Sequence, residues 1–326
     1  MAAEQLSALD RVPPLQKIVL GSRGSDLALA QARMAECALR KKWTIEVQIE
    51  IVRTRGDENL SRTGVSNSDG WKAGRKGIFT AELERALIDK RIDAAVHSAK
   101  DIPSEMDGAL IIAAVLPRAG VEDLLLRKGA APTAVTTIAT GSVRRQRQAR
   151  AMNPKARIVP LRGNVPTRLR KFIQSDWDAI ILARAGLERL GFAPPEFEFE
   201  GYRIFADILS TENFLPAGGQ GIIALQTRDA DFPVRQIVSC IDDRDTHLCL
   251  RAERELLRLL QGDCDLPVGV HARFVNGELE LHAQVFGDGA DPKMAMGRGN
   301  DPERLAANVF EKLEQESEHK HEHKHK

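Results

Sequence analysis

Thirty consecutive residues, 142–171, contain no Asp or Glu, while Arg144, Arg145, Arg147, Arg150, Lys155, Arg157, Arg162, Arg168, Arg170 and Lys171 supply ten fixed positive charges. The chain of 326 residues sets 47 Lys and Arg against 46 Asp and Glu, a net charge of only +1. Like charges gathered this way repel, so the excess must be matched by acidic surface elsewhere or by an acidic ligand. A charge run is more often a solvated helix face. Position argues otherwise here. Arg162 follows the apolar run Ile158, Val159, Leu161 and precedes Gly163-Asn164, and Arg144 and Arg145 follow the small-residue turn Thr140-Gly141-Ser142. In open α/β sheets ligands bind beyond the carboxyl ends of strands.

Two further segments offer the same chemistry. The turn Gly21-Ser22-Arg23-Gly24-Ser25 joins a predicted strand to a predicted helix, which places an Arg, hydroxyls and free backbone N–H groups at a helix N-terminus. It has neither the Walker nor the dinucleotide glycine pattern. The apolar run 94–97 leads into Ser98-Ala99-Lys100-Asp101, another strand end with a cation and hydroxyls, and here also a carboxylate. Arginine forks bind carboxylate or phosphate bidentately. Arg23, Lys100, Arg144, Arg145, Arg162, Arg168 and Arg189 in one cleft would therefore suit a ligand with several negative groups. Asp101 reads as an ion-pair partner of Lys100 or, functionally, as the group that steadies a developing cation and shuttles a proton. His97 lies within a strand pattern and reads as a core histidine.

Of four cysteines, Cys37, Cys240 and Cys249 sit in or after apolar runs and read as core. Cys264 follows the helix-stopping Gly262 in a loop, where a sulfur is exposed, though Asp263 and Asp265 disfavour its thiolate. The cysteine spacing shows no metal pattern, and reduced thiols in a cytoplasm are expected. Nucleic acid is a poor candidate, with aromatics at 5%, a pI near 7.7 and none of the usual motifs. Neither a signal peptide nor a membrane-length apolar run is visible. The His/Lys-rich stretch 318–326 reads as a disordered tail or tag.

The elements that position these groups form two similar α/β units. In the first, strands are predicted at 17–20 and 94–97 and, by the alternation of Val47, Ile49 and Ile51, around 47–51, with a mobile Gly/Ser/Lys-rich loop over 61–77 and a helix over 79–89. In the second, strands fall at 124–126, 157–161 and 179–183. Residues 216–221 read as a flexible connector, after which a strand at 222–225 returns to the first sheet. A third, α+β unit follows: a helix over 246–260, a hairpin around Asn276-Gly277 and a last helix over 302–314.

The motifs Ser22-Arg23-Gly24-Ser25, Gly74-Arg75-Lys76-Gly77-Ile78-Phe79, His97-Ser98-Ala99-Lys100-Asp101-Ile102-Pro103, Ser142-Val143-Arg144-Arg145, Leu161-Arg162-Gly163-Asn164-Val165 and Gly262-Asp263-Cys264 resemble, in this order, those of the porphobilinogen deaminase (hydroxymethylbilane synthase) family. The resemblance spans about 17–306. It implies two periplasmic-binding-protein-like α/β domains facing across a cleft, 1–118 with 221–238 and 119–220, plus a small α+β domain over 239–317. It also implies a cytoplasmic enzyme of tetrapyrrole and heme biosynthesis that condenses four porphobilinogens on a covalent dipyrromethane primer, with no membrane or nucleic-acid partner and no metal, as a monomer. Cys264 would hold the dipyrromethane through a thioether and Asp101 would be catalytic. Lys100, Ser142, Arg144, Arg145 and Arg162 would bind the primer, and Arg23, Ser25, Ser98, Arg168 and Arg189 the substrate. Lys72, Lys76 and Phe79 would belong to a lid loop. A two-lobed anion-binding protein without catalysis is the competing expectation; it would need neither Asp101 nor Cys264.

Overall fold

The computed structural model describes residues 15–53, 80–129, 135–261, 267–287 and 292–322. Its elements run β1 (Lys17–Ser22), α1 (Asp26–Lys42), β2 (Glu46–Ile51), α2 (Ala81–Ile88), β3 (Ala94–Ser98), a 3-10 turn (Ala99–Asp101) and β4 (Leu110–Val115). Then come β5 (Asp123–Arg127), β6 (Thr137–Ala139), α3 (Val143–Met152), β7 (Arg157–Val159), α4 (Val165–Ile173), β8 (Ala179–Ala183), α5 (Arg184–Glu188), β9 (Glu196–Phe199) and β10 (Tyr202–Leu209). The rest is β11 (Ile223–Arg228), α6 (Phe232–Ser239), α7 (Arg244–Leu259), β12 (Val268–Val275), β13 (Glu278–Val285), β14 (Lys293–Gly299) and α8 (Pro302–Glu322).

The first sheet has the order β2-β1-β3-β11-β4 and the second β7-β6-β8-β5-β10-β9. Each contains three parallel strands followed by one antiparallel strand, β11 in the first and β5 in the second. The chain passes between the lobes twice, at 116–122 and 210–222, and each time its next strand is the antiparallel one. As expected, the strand after the second passage returns to the first sheet. Central strands are near-continuous apolar runs because helices cover both faces: β3 and β8 are buried at every position but the last. Edge strand β2 departs from the expected alternation. Val47 is buried, but Ile51 is 54% exposed, with no element of the described residues covering that end.

α1 starts at Ser25, whose hydroxyl accepts from the Ala28 N–H at 3.3 Å, with Asp26 in the first turn, where a negative charge opposes the positive end of the helix dipole. Its buried stripe is Gln31, Ala32, Ala35 and Leu39, so Cys37, expected in the core, is exposed on the opposite flank, and Met34 is half out. Cys240 is half-buried and Cys249 buried. The segment expected to be a flexible connector, 216–221, is instead tied on both sides. Gly219 N–H donates to Glu253 Oε2 at 2.6 Å, and the fully buried Gln220 amide donates to Val121 O and Asp123 Oδ1.

In the C-terminal unit, the face made by Val268, Val270, Ala272, Leu279, Leu281 and Ala283 packs on Leu256 of α7 and on Leu305, Val309 and Leu313 of α8. Its hairpin turns at Asn276 (φ 53°) and Gly277 (φ 87°), the pair the Asn-Gly signal predicts. α8 continues to Glu322, past the expected end of the helix and into the stretch read as tail.

Candidate functional site: a two-lobed cationic cleft

The first lobe delivers its groups from two parallel strand ends. β1 ends in buried Ser22 and runs on to Arg23, and β3 ends in Ser98, whose Oγ is 2.8 Å from the Nε2 of Gln31 on α1. Arg23, Ser25, Gln31, Thr80, Ser98 and Asp101 line one pocket between these strand ends. His97 forms its floor. Its Nε2 is 3.1 Å from Gln226 Oε1 on β11, and burial, with the Arg23 charge in support, pushes its pKa down to about 4, so the ring is neutral at physiological pH. That is the core histidine expected from the sequence.

The Lys100–Asp101 turn sits against the connector. A Cβ on Gly219 (φ 75°) would lie 2.8 Å from the Lys100 backbone N, so only glycine lets the two backbones meet. Burial pushes the Lys100 pKa down to about 8. The charge of Arg145, in the other lobe, adds to that effect, and Asp101 and Asp123 oppose it. Arg168 is lowered to about 10, by burial and then by Arg145, with Asp101 again opposing. The two lobes thus bring Lys100, Asp101, Arg145 and Arg168 within one another's fields.

In the second lobe, Arg144 and Arg145 lie in the first turn of α3 rather than in a strand-end turn, and both are buried. Ser142 caps that helix, with its Oγ 3.5 Å from the Arg145 N–H. Asp123, fully buried at the start of β5, binds both guanidiniums: Arg144 Nη2 donates to Oδ2 at 2.8 Å and Arg145 Nη2 to Oδ1 at 2.7 Å. Burial alone would raise this carboxyl; the two arginines override it and hold Asp123 well below the usual carboxylate range. The acid-free stretch is therefore partly neutralised from within the protein. Arg144 also donates to Leu215 O and Gln148 Oε1, and Arg145 to Ile181 O. The Nε of each is buried with no partner among the described residues. Both forks are held rigid and keep donors for an anion.

Arg162 is exposed and adjoins the Ser142 turn, because a Cβ on Gly141 would meet Leu161 O at 2.5 Å. Arg168 Nε donates to Gly163 O, and Arg189 Nη2 donates to Gly221 O at the second passage between the lobes. Burial lowers Arg189 to about 10. Cys264, Lys72, Lys76 and Phe79 lie outside the described residues. Among the described residues no group of His, Cys, Asp and Glu could hold a metal ion, and no helix is long and apolar enough to cross a membrane.

Sequence reasoning missed Asp123 and Gln31. Gln31 carried a signal, an amide inside the otherwise apolar stripe of α1. Asp123 carried none, since a single Asp before an apolar run is common.

Lys100, Arg144, Arg145 and Arg168 share a field with Asp101 and Asp123, and Arg23 lines a pocket with Asp101; this surplus of positive charge suits a polyanionic organic ligand. A porphobilinogen deaminase dipyrromethane-cofactor-binding domain model matches residues 18–236, and the C-terminal domain model of the same family matches 247–315. The chain is 39% identical over 275 residues to the porphobilinogen deaminase of Chlorobium phaeobacteroides, covering 83% of each chain. It is 37% identical over 290 residues to that of Syntrophobacter fumaroxidans, covering 87% of this chain and 89% of the relative. Among solved structures it is similar to the methionine-binding protein MetQ, with a TM-score of 0.40 and 11% identity over 71% of this chain and 92% of that one.

Proposed function

The chain belongs to the porphobilinogen deaminase family, and from that premise we propose that it condenses four porphobilinogens head to tail, releasing one ammonia at each addition, and that water then frees hydroxymethylbilane. The relatives favour this over a two-lobed anion binder without catalysis. The observation that carries the residue roles is the position of Asp101 in the shared field of Lys100 and Arg168, one carboxylate from one lobe against cations from both.

The dipyrromethane cofactor, when bound, would supply the free pyrrole carbon onto which the first unit is joined, each later unit joining the pyrrole added before it. Its carboxylates fit the residues present: buried guanidiniums with unused Nε donors, beside Lys100 and the Ser142 cap. Arg144, Arg145, Arg162, Lys100 and Ser142 hold those carboxylates, while Arg23, Ser25, Ser98, Arg168 and Arg189 hold the acetate and propionate of the incoming porphobilinogen. Loss of ammonia leaves a cation on the substrate methylene. Asp101 steadies that charge and handles the pyrrole N–H proton, and the neutral His97 lining the same pocket adds no competing positive charge. The units 1–118 with 221–238 and 119–220 both contribute to holding primer and substrate, and 239–317 carries the covalent anchor. Lys72, Lys76 and Phe79 cover the site, and the enzyme works as a cytoplasmic monomer.

Cys264 is the proposed anchor. A thioether survives denaturation, so denatured active protein should weigh more than its sequence by two linked pyrrole units, with the excess on the peptide containing Cys264 and absent from Cys264→Ala. Active enzyme at the bare sequence mass would sink the covalent mechanism. A mixture of bare and loaded chains would point to the neighbouring Asp263 carboxylate disfavouring the thiolate, and Asp263→Gly should then raise the loaded fraction.

A further inference from the structure

The turn that presents Asp101 is gripped from the C-terminal unit. On α7, Thr246, Leu250, Glu253 and Arg254 follow one another at helical spacing and face the first lobe. Thr246 Oγ1 accepts from Arg118 N–H, and Leu250 packs in one apolar cluster with Ala99 and Ile102, on either side of Lys100 and Asp101. Glu253 accepts from Gly219 N–H, whose own backbone lies on Ala99 and Lys100. Arg254 closes the other flank: Nη1 donates to Ile102 O at 3.3 Å, and Nη2 to Pro103 O at 2.8 Å and Ser104 O at 3.1 Å. One side chain thus satisfies three successive carbonyls immediately after Asp101.

We infer that Arg254 is a positioning residue: its fork sets where the Asp101 carboxylate points, and it couples that setting to α7, the helix that leads within a few residues to Cys264. The inference rests on the roles proposed above for Asp101 and Cys264. A guanidinium is needed because three carbonyls fan out along the chain and a planar fork spans them, whereas an ammonium is a point donor. Burial lowers the Arg254 pKa to about 10, with Glu84 opposing, so it stays charged throughout the working range. Both terminal nitrogens of Arg254 are engaged by these carbonyls rather than offered to a substrate carboxylate. Arg254 therefore acts through the backbone of the turn rather than on substrate.

The test is steady-state kinetics of the loaded enzyme with porphobilinogen, comparing the parent with Arg254→Met and Arg254→Lys, together with the denatured intact mass of each. Displacing a reacting group by about 1 Å costs about a hundredfold. Arg254→Met should therefore lose between tenfold and a hundredfold in kcat while KM stays within twofold and the loaded mass equals that of the parent. Arg254→Lys, which reaches fewer carbonyls, should recover part of the loss. A kcat within twofold of the parent in both variants, or a rise in KM at unchanged kcat, overturns the inference. If Arg254→Met does not fold, Arg254→Lys decides alone: a several-fold lower kcat at unchanged KM supports it, and parent kinetics overturn it. A parent enzyme that releases no ammonia from porphobilinogen fails the deaminase reading itself, whatever the variants do, and this inference falls with it.

Discussion

Asp101 and Asp123 are the two carboxylates of the cleft, and replacing each by Asn should produce opposite signatures. Asp101 is exposed at the end of a turn, so Asp101→Asn should leave unfolding free energy near that of the parent and cut turnover by about a hundredfold or more, the scale of losing one preorganised charge at a reacting centre. Asp123 is fully buried between two arginines. Asp123→Asn strands two buried guanidiniums and should cost about 3–5 kcal/mol in denaturant unfolding. If Asp123→Asn unfolds like the parent, the arginines are neutralised by something other than Asp123, and the internal clamp is not what holds them. The difference also explains what the sequence could reveal. Asp101 was legible because it stands beside a cation at a strand end. The clamp was not, because Asp123 lies 21 residues from Arg144 and only the fold brings them together.

At the scale of single elements, β3 exposes one titration to measurement. His97 is held neutral with a pKa near 4, whereas in the unfolded chain it titrates near 6.5. Between those values the unfolded chain binds the proton and the folded one does not, so stability falls as pH drops from about 6.5 to 4 and this contribution is flat below. A shift of this size is about 3 kcal/mol across the window. His271 on β12, lowered to about 3 by burial and then by Arg118, acts with the same sign. His97→Gln should remove about half of the slope of unfolding free energy against pH; an unchanged slope would assign the acid sensitivity elsewhere. Elements whose sequence pattern matched their burial were legible: the apolar runs of β3 and β8, the Ser25 cap, the Asn276-Gly277 turn. The β9–β10 hairpin was not, because it turns at Glu200 (φ 49°) and Gly201, and a Glu with positive φ gives no turn signal. Cys37 was misplaced because its helix buries a narrower stripe than the apolar pattern suggested.

At the scale of the molecule, Glu253 joins all three units. Fully buried, it accepts from Arg118 Nη1 at 2.6 Å, Gly219 N–H at 2.6 Å and Ala272 N–H at 2.7 Å, so both passages between the lobes and the C-terminal sheet meet on one carboxylate. Glu253→Gln keeps the shape but leaves Arg118 without its counter-charge, at a cost of about 3–5 kcal/mol. Calorimetry should show the parent's transition shift down and broaden as the C-terminal sheet loses its tie to the lobes. A single unshifted transition would mean that the apolar contacts of α7 suffice. The bilobal plan was legible as repeated strand ends. This junction was not, since none of its partners is adjacent in sequence.

The interleaving of the two sheets also imposes an order on synthesis. Every strand of the second sheet lies between residues 123 and 209, so that lobe is complete in sequence once β10 has been made. The first sheet has a gap in its middle until β11 arrives, because β4 pairs only with β11, and β3 has β11 as its second neighbour. As the chain leaves the ribosome, the amino-terminal lobe must therefore wait, with strand edges unpaired, while the later-made lobe closes first. Domains usually fold in the order in which they are made; here that order is reversed. The amino-terminal half has the greater need of a chaperone during the translation of roughly a hundred residues, about 5–20 s at common elongation rates.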